Sequence, residues 1–211
     1  VMGEVEDMVT NNRIFRDRME GVGGMEPEVA LGYGLTGPCL RACGVDYDVR
    51  KDQPYLVYDQ LEFDVPVGTK GDCFDRYLVR LEEMRQSVRI LRQAIARLPG
   101  GPINVDDPNV SLPSKTDCMS DMESMIHHFK LITEGIKAPE GDCYLAVEGS
   151  KGELGMYVVA EEGSTKPVRW RVRPPSFVNL SAIERLAKGH LVSDLIMINA
   201  SLDIVLGEID R

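Results

Sequence analysis

DCFDRYLVRLEEMRQSVRILRQAIARLPG, residues 72–100, sets Phe74, Leu78, Leu81, Met84, Val88, Leu91, Ile95 and Leu98 at intervals of three or four. That spacing draws one apolar stripe along an amphipathic helix of about seven turns, and Pro99 and Gly100 stop it. Arg76, Arg80, Arg85, Arg89 and Arg92 fall largely off the stripe. The pattern predicts a helix over 72–98 whose stripe is core rather than a cofactor surface. Its arginine face is then either solvated or set against an acidic partner.

Upstream, VEDMVTNNRIFRDRM (5–19) has helical spacing and is broken by Gly21, Gly23 and Gly24. Glu26 to Tyr33 reads as a short helix with Pro27 in its first turn. GLTGPCLRACGVDYDVRKDQP (34–54) has no clear period and reads as an ordered loop. Solvation is the default reading for its Arg41, Asp46, Asp48, Arg50 and Lys51, and a buried ion network is the alternative.

Downstream, the proline-punctuated stretch 100–114 leads to Ser120 and Glu123, an S-x-x-E capping box for a helix through Met125, Ile126, Phe129 and Ile132 that Gly135 closes. His127 and His128 on it point about 100° apart and do not suit one metal, so one packs and the other is exposed. CYLAVEG (143–149), LGMYVVAE (154–161) and PVRWRVR (167–173) read as strands, with 161–166 as a hairpin connection. In the last strand Val168, Trp170 and Val172 alternate with Arg169, Arg171 and Arg173, giving one apolar and one cationic face. LSAIERLAKGH (180–190) reads as a helix stopped by Gly189. Helices, then a small antiparallel sheet, then helices define an α+β domain dominated by helix packing.

The 211 residues, 43% of them hydrophobic, suffice for a packed core. A formal charge of −10 argues against a general nucleic-acid binder and against a protein held to anionic lipid by overall charge. The run from Leu191 to Leu206, interrupted by Asp194, Asn199 and Asp203, is the nearest approach to a bilayer span and falls short of it. No signal-peptide pattern is visible, and Val1 enters directly into helical pattern, so the chain reads as a piece of a longer protein. Five scattered cysteines do not suggest a disulfide framework and favour a reducing compartment. The close pair Cys39 and Cys43 lacks the companions of a zinc site and reads as two buried thiols. Phosphate-loop, dinucleotide-binding, nucleophile-elbow and iron–sulfur patterns are missing. No self-contained active site emerges from spacing alone.

The terminal SLDIVLGEIDR (201–211), with EDMVTNNRIFRDR (6–18), GLTGPCLRACGVDYDVRK (34–51), YDQLEFDVPVGTKGDCFDRYLVRLEEMRQS (58–87), ESMIHHFKLITEG (123–135) and KGELGMYVV (151–159), resembles the carboxy-terminal portion of the large, hydrogenase-like subunit of respiratory complex I. That family is the D or 49-kDa subunit of NADH:quinone oxidoreductase, related to the large subunit of nickel–iron hydrogenases. The resemblance implies a mainly helical hydrogenase-large-subunit-like fold with a small antiparallel sheet. It also implies a single domain over 1–211, with a helical core at about 1–137 and 177–211 and the sheet at about 143–174. Related hydrogenases end in D-P-C-x-x-C-x-x-H, whose cysteines bind metal. On that pattern Asp203 and Ile204 fall on D-P, Val205 and Glu208 on the cysteines, and Arg211 on the histidine. A hydrocarbon, a hard carboxylate and a permanent cation cannot build a nickel–iron site.

In complex I the vacated space resembles a quinone headgroup chamber facing the small subunit that carries the terminal [4Fe–4S] cluster. The resemblance implies that Asp203, Val205, Leu206, Glu208 and Arg211 line or support it, that the chain binds no metal or cofactor itself, and that quinone is the substrate. NADH, FMN and iron–sulfur clusters would belong to partner subunits, which include the membrane arm. The expected location is peripheral, on the cytoplasmic face of a bacterial inner membrane or the matrix side of the mitochondrial one. The family's quinone-binding histidine and tyrosine lie in its amino-terminal part, so this portion alone should be inactive. Asn199 and Ala200 stand where Ile-Gly is frequent, Leu206 where Phe is, and Cys43 where Ser is. Two other readings remain: a structural module for assembly of the peripheral arm, and a relative of membrane-bound energy-converting hydrogenases, which Val205 and Glu208 disfavour.

Overall fold

The computed structural model describes residues 2–210, of which Met2 is described in its backbone only. In chain order the helices are α1 (Met2–Val5), α2 (Arg13–Met19), α3 (Pro27–Tyr33), α4 (Pro38–Ala42), α5 (Val49–Asp52), α6 (Cys73–Arg97), α7 (Lys115–Ser120) and α8 (Met122–Thr133). Strands β1 (Gly141–Gly149), β2 (Gly152–Ala160) and β3 (Arg169–Arg173) follow, then α9 (Pro175–Ser181), α10 (Ile183–Ala187), α11 (Val192–Leu202) and α12 (Leu206–Asp210). The chain sorts into two compact units. The first holds 1–97, 146–155 and 172–211; the second holds 98–145 and 156–171. This division does not follow a helix-against-sheet line, because all three strands run through both units.

The α+β class stands. The sheet has the order β1-β2-β3, and the two-residue connection Ser150–Lys151 makes the first pair an antiparallel hairpin. Several local readings need correction. The expected helix over 5–19 is split: the Asn12 side chain accepts from the amides of Ile14 and Phe15 at 2.9 and 3.4 Å, so it caps α2 and detaches it from a wide turn at Glu6–Thr10. The stretch 34–54 contains α4 and α5 rather than loop alone; Pro38 starts one helix and the Asp48 carboxylate caps the other. Ser120 closes α7, and Asp121 caps α8 by accepting from Ser124 N at 2.8 Å, one residue later than the expected box. The region 180–190 is broken at Ala182 between α9 and α10.

The core of the first unit gathers Met19, Leu35, Leu40, Cys73, Leu186, Ile198 and Leu202 around the first half of α6. Arg76, expected on an outer face, is buried there. Its guanidinium donates to Ser201 Oγ at 3.0 Å and to the carbonyls of Gly71 and Gly23 at 2.8 Å each, so every element it touches is tied to α6. The second half of α6 is open: Met84, Val88, Leu91 and Ile95 are exposed, against the reading of the whole stripe as core. Two of its arginines meet carboxylates of the same chain, Arg85 with Glu6 and Glu82, and Arg89 with Asp64 at 2.9 Å.

In the second unit, α8 leaves Met125, Ile126, Phe129 and Ile132 exposed, with His127 half-buried and His128 exposed. Burial does not alternate along β3: Arg169, Trp170 and Arg171 are exposed and Val172 and Arg173 half-buried, so the expected apolar face is open to water at Trp170. Apolar surface of this extent on two helices predicts self-association of the chain on its own. Sedimentation velocity should show concentration-dependent oligomers, and a single monomer peak at all concentrations would contradict this. Among the described residues, no helix is long and apolar enough to cross a membrane.

Candidate functional site

The tail answers first for its own carboxylates. Asp194, inside the apolar run, caps α11 by accepting from Leu191 N at 3.1 Å and pairs with Arg18 at 3.1 Å. Asp203 ends α11 in the left-handed region, φ 54°, where a non-glycine residue is held against a local cost of about 1 kcal/mol or more. Its carboxylate is gripped by Lys151 from the β1–β2 turn, while Arg80 Nε stands 3.8 Å away.

Lys151 is itself fixed by the first unit's backbone. A Cβ on Gly37 would lie 2.3 Å from Gly152 Cα, so the hairpin tip and the start of α4 meet main chain to main chain. Thr36 Oγ1 accepts from Glu153 N at 3.1 Å, and Asn179 Nδ2 donates to the Lys151 carbonyl at 3.1 Å. Past Asp203, Ser176 in the first turn of α9 clamps the tail from both sides. Its hydroxyl accepts from Val205 N at 3.3 Å, and its amide donates to Glu208 Oε2 at 3.2 Å.

Beside this cluster lies a buried ion network, so the alternative reading of the 34–54 charges is the correct one for three of them. Arg41, 1% exposed, donates to Glu83 Oε1 at 2.9 and 2.6 Å and to Glu148 Oε1 and the Tyr47 carbonyl at 2.9 Å each. Asp48, also 1% exposed, stands 3.7 Å from Arg41 and is forked by Arg50 at 2.9 and 2.6 Å. Asp46 and Lys51 are exposed, as the solvated reading has it. Burial works against the Arg41 charge, yet Glu83, Glu148 and Asp48 together hold its pKa above the ordinary value. Burial likewise opposes the Asp48 carboxylate, and Arg50 and Arg41 overcome it and keep the pKa below normal. At Glu148 burial wins, and its carboxyl is pushed above the usual range despite Arg41.

Two clefts meet at Arg80, Met84 and Asp203. One, of about 420 Å³, is mainly apolar and lined by Phe15, Met19, Tyr77, Leu81 and Met197. The other, of about 430 Å³, is charged and lined by Arg41, Arg50, Glu83, Ser87 and Glu148. Arg80 donates to the Arg76 carbonyl at 3.1 Å and lies 3.7 Å from Cys39 Sγ; among the described residues its buried Nε has no hydrogen-bond acceptor. Among the described residues, no group of three or more His, Cys, Asp or Glu is placed to hold a metal ion.

A family model for the 49-kDa subunit of the respiratory-chain NADH dehydrogenase matches residues 1–211. The chain belongs to this family. It is 51% identical over 211 residues to the D subunit of the NADH-quinone oxidoreductase of Paramagnetospirillum magneticum, covering 100% of this chain and 54% of that relative. To the corresponding D subunit from Ehrlichia chaffeensis it is 50% identical over 208 residues, 99% of this chain and 53% of that relative. It thus spans about half the length of the curated relatives it matches.

Within this 49-kDa-family chain, the expected site residues that are described stand from the end of α11 into α12. Asp203 sits at the meeting of the clefts, Val205 and Leu206 are 42% and 69% exposed, and Glu208 is half-buried under α9. Arg211 lies outside the described residues. Lys151, Arg80 and Ser176 join the site only in three dimensions, and no local signal marks them: Lys151 reads as a hairpin-turn lysine and Ser176 as an ordinary helix-start serine.

Proposed function

We propose that this chain builds part of the quinone headgroup chamber of a proton-translocating NADH:quinone oxidoreductase, next to the terminal [4Fe–4S] cluster of the small partner subunit. Asp203, Val205, Leu206, Glu208 and Arg211 line or support that chamber. The observation that carries the reading is the junction of an apolar and a charged cleft at Asp203 and Arg80. A quinone is a flat apolar ring with polar oxygens at its ends, and such a junction suits both parts. Val205 and Leu206 are left unburied by this chain, which makes them available as an apolar wall. Glu148, held above the usual carboxylate range at the edge of the charged cleft, can take up a proton when charge changes nearby, which suits coupling of quinone reduction to proton translocation. NADH, FMN and the iron–sulfur clusters are assigned to partner subunits, and the location is peripheral to the inner membrane, on the bacterial cytoplasmic or mitochondrial matrix side.

The test is Val205→Trp in the assembled enzyme in membrane vesicles. Bulk at this exposed position should shift the sensitivity to a quinone-site inhibitor about tenfold, while NADH:ferricyanide activity is unchanged. An unaltered inhibitor response with normal assembly would remove Val205 from the chamber. A second reading, an interaction module that docks partner subunits, is favoured by the open apolar faces of α6 and α8. It gains if Val205→Trp reduces the amount of assembled enzyme and nothing else.

A further inference from the structure

Arg76 and Arg80 stand one turn apart on α6, and their guanidinium groups are used differently. Arg76 is fully enclosed and donates to Ser201, Gly71 and Gly23, a complete structural role. Arg80 keeps its side chain 21% exposed, faces both clefts, and holds a buried Nε–H that no atom of the described residues accepts from. Its nearest anion, the Asp203 carboxylate, is 3.8 Å away and already paired with Lys151. One carboxylate therefore stands between two cations and satisfies one of them. A buried donor without an acceptor is destabilising, and native folds seldom retain one without a use.

We propose that Arg80 is a ligand-binding residue: its guanidinium donates to an oxygen of a quinone-class ligand seated where the apolar and charged clefts meet. This rests on the quinone-chamber reading and adds to it a residue far from the tail in sequence. The ring lies against Met84, Leu81 and Met197, and the oxygen is met by the exposed edge of the Arg80 guanidinium, beside Asp203. Lys151 matters because it keeps Asp203 from closing fully onto Arg80. A guanidinium does not lose its proton in a protein, so the donor is permanent. A charge-assisted hydrogen bond of this kind strengthens as the ligand oxygen gains negative charge.

The experiment uses the assembled enzyme in membrane vesicles, decylubiquinone as the probe, and the variants Arg80→Lys and Arg80→Gln beside Val205→Trp. Lysine keeps the charge and the helix but loses the planar fork. The expected result for Arg80→Lys is a KM for decylubiquinone raised about tenfold with kcat within about twofold, and NADH:ferricyanide activity unchanged. Arg80→Gln should raise KM further. A KM within about twofold of the parent in both variants overturns the proposal, as does failure of both to assemble, which would make Arg80 a residue of the fold. If Val205→Trp alters inhibitor response while both Arg80 variants are silent, the Arg80 assignment falls and the chamber stands. Silence of all three sinks the chamber as well.

Discussion

Replacing Arg41 by methionine is expected to cost the first unit about 3–5 kcal/mol at neutral pH, the range for removing one partner of a buried ion pair. The reason is what remains: Asp48 and Glu148 are buried, Glu83 is nearly so, and Arg50 alone cannot reach all three. Volume is almost conserved, so the loss measures uncompensated charge rather than a cavity. The sign of its pH dependence follows from the carboxyl groups. Glu148 already has a folded pKa above its unfolded one, and without Arg41 it rises further. Such a group contributes stability that is full below the unfolded pKa, about 4.3, and is lost as pH rises through the folded value. The variant should therefore be less impaired at pH 4 than at pH 7. Pulse proteolysis in urea at the two pH values measures both effects; an equal penalty at both would deny that ionised carboxylates are its source.

Gly37→Ala is the second large effect expected, about 3 kcal/mol or more. Gly37 combines φ 65° with ψ −148°, a region nearly closed to side chains, and its Cβ would lie 2.3 Å from Gly152 Cα and 2.7 Å from Gly152 N. Neither backbone can yield cheaply, so the hairpin tip must move away. Lys151 then loses register with Asp203, and on the proposed reading quinone reduction by the assembled enzyme should fall together with stability. Gly32→Ala in α3 is the control, since nothing lies within 4 Å of its Cβ position and the backbone is already helical. It should leave the urea midpoint unchanged or slightly raised. A Gly37→Ala chain as stable as the control would mean that the two backbones do not meet.

Local pattern carried far here. The α6 stripe, the three strands and the glycine and proline boundaries follow from periodicity, and the segment similarities identify the family. Burial did not follow. The motif around Arg41 looks like a solvated loop because its acidic partners stand 42 and 107 residues away, at Glu83 and Glu148. The α6 stripe is correct as a stripe, but amphipathicity says only that a face is apolar, not that this chain covers it. In the candidate site, Asp203 was legible because the tail has a family pattern. Lys151, Arg80 and Ser176 were not, because their roles depend on a turn, a helix and a helix start that folding brings to the tail.

The thiols are distributed unevenly between the two units. Cys39, Cys43 and Cys73 are buried in the first, and burial pushes the Cys43 thiol up to about 11, out of reach of thiolate chemistry at neutral pH. Cys118 and the exposed Cys143 both belong to the second. The chain therefore comes with its own addressable handles: a maleimide fluorophore or spin label attaches to the second unit and leaves the first chemically untouched. Changes in the surroundings of that second unit can be followed spectroscopically without first engineering a cysteine-free background.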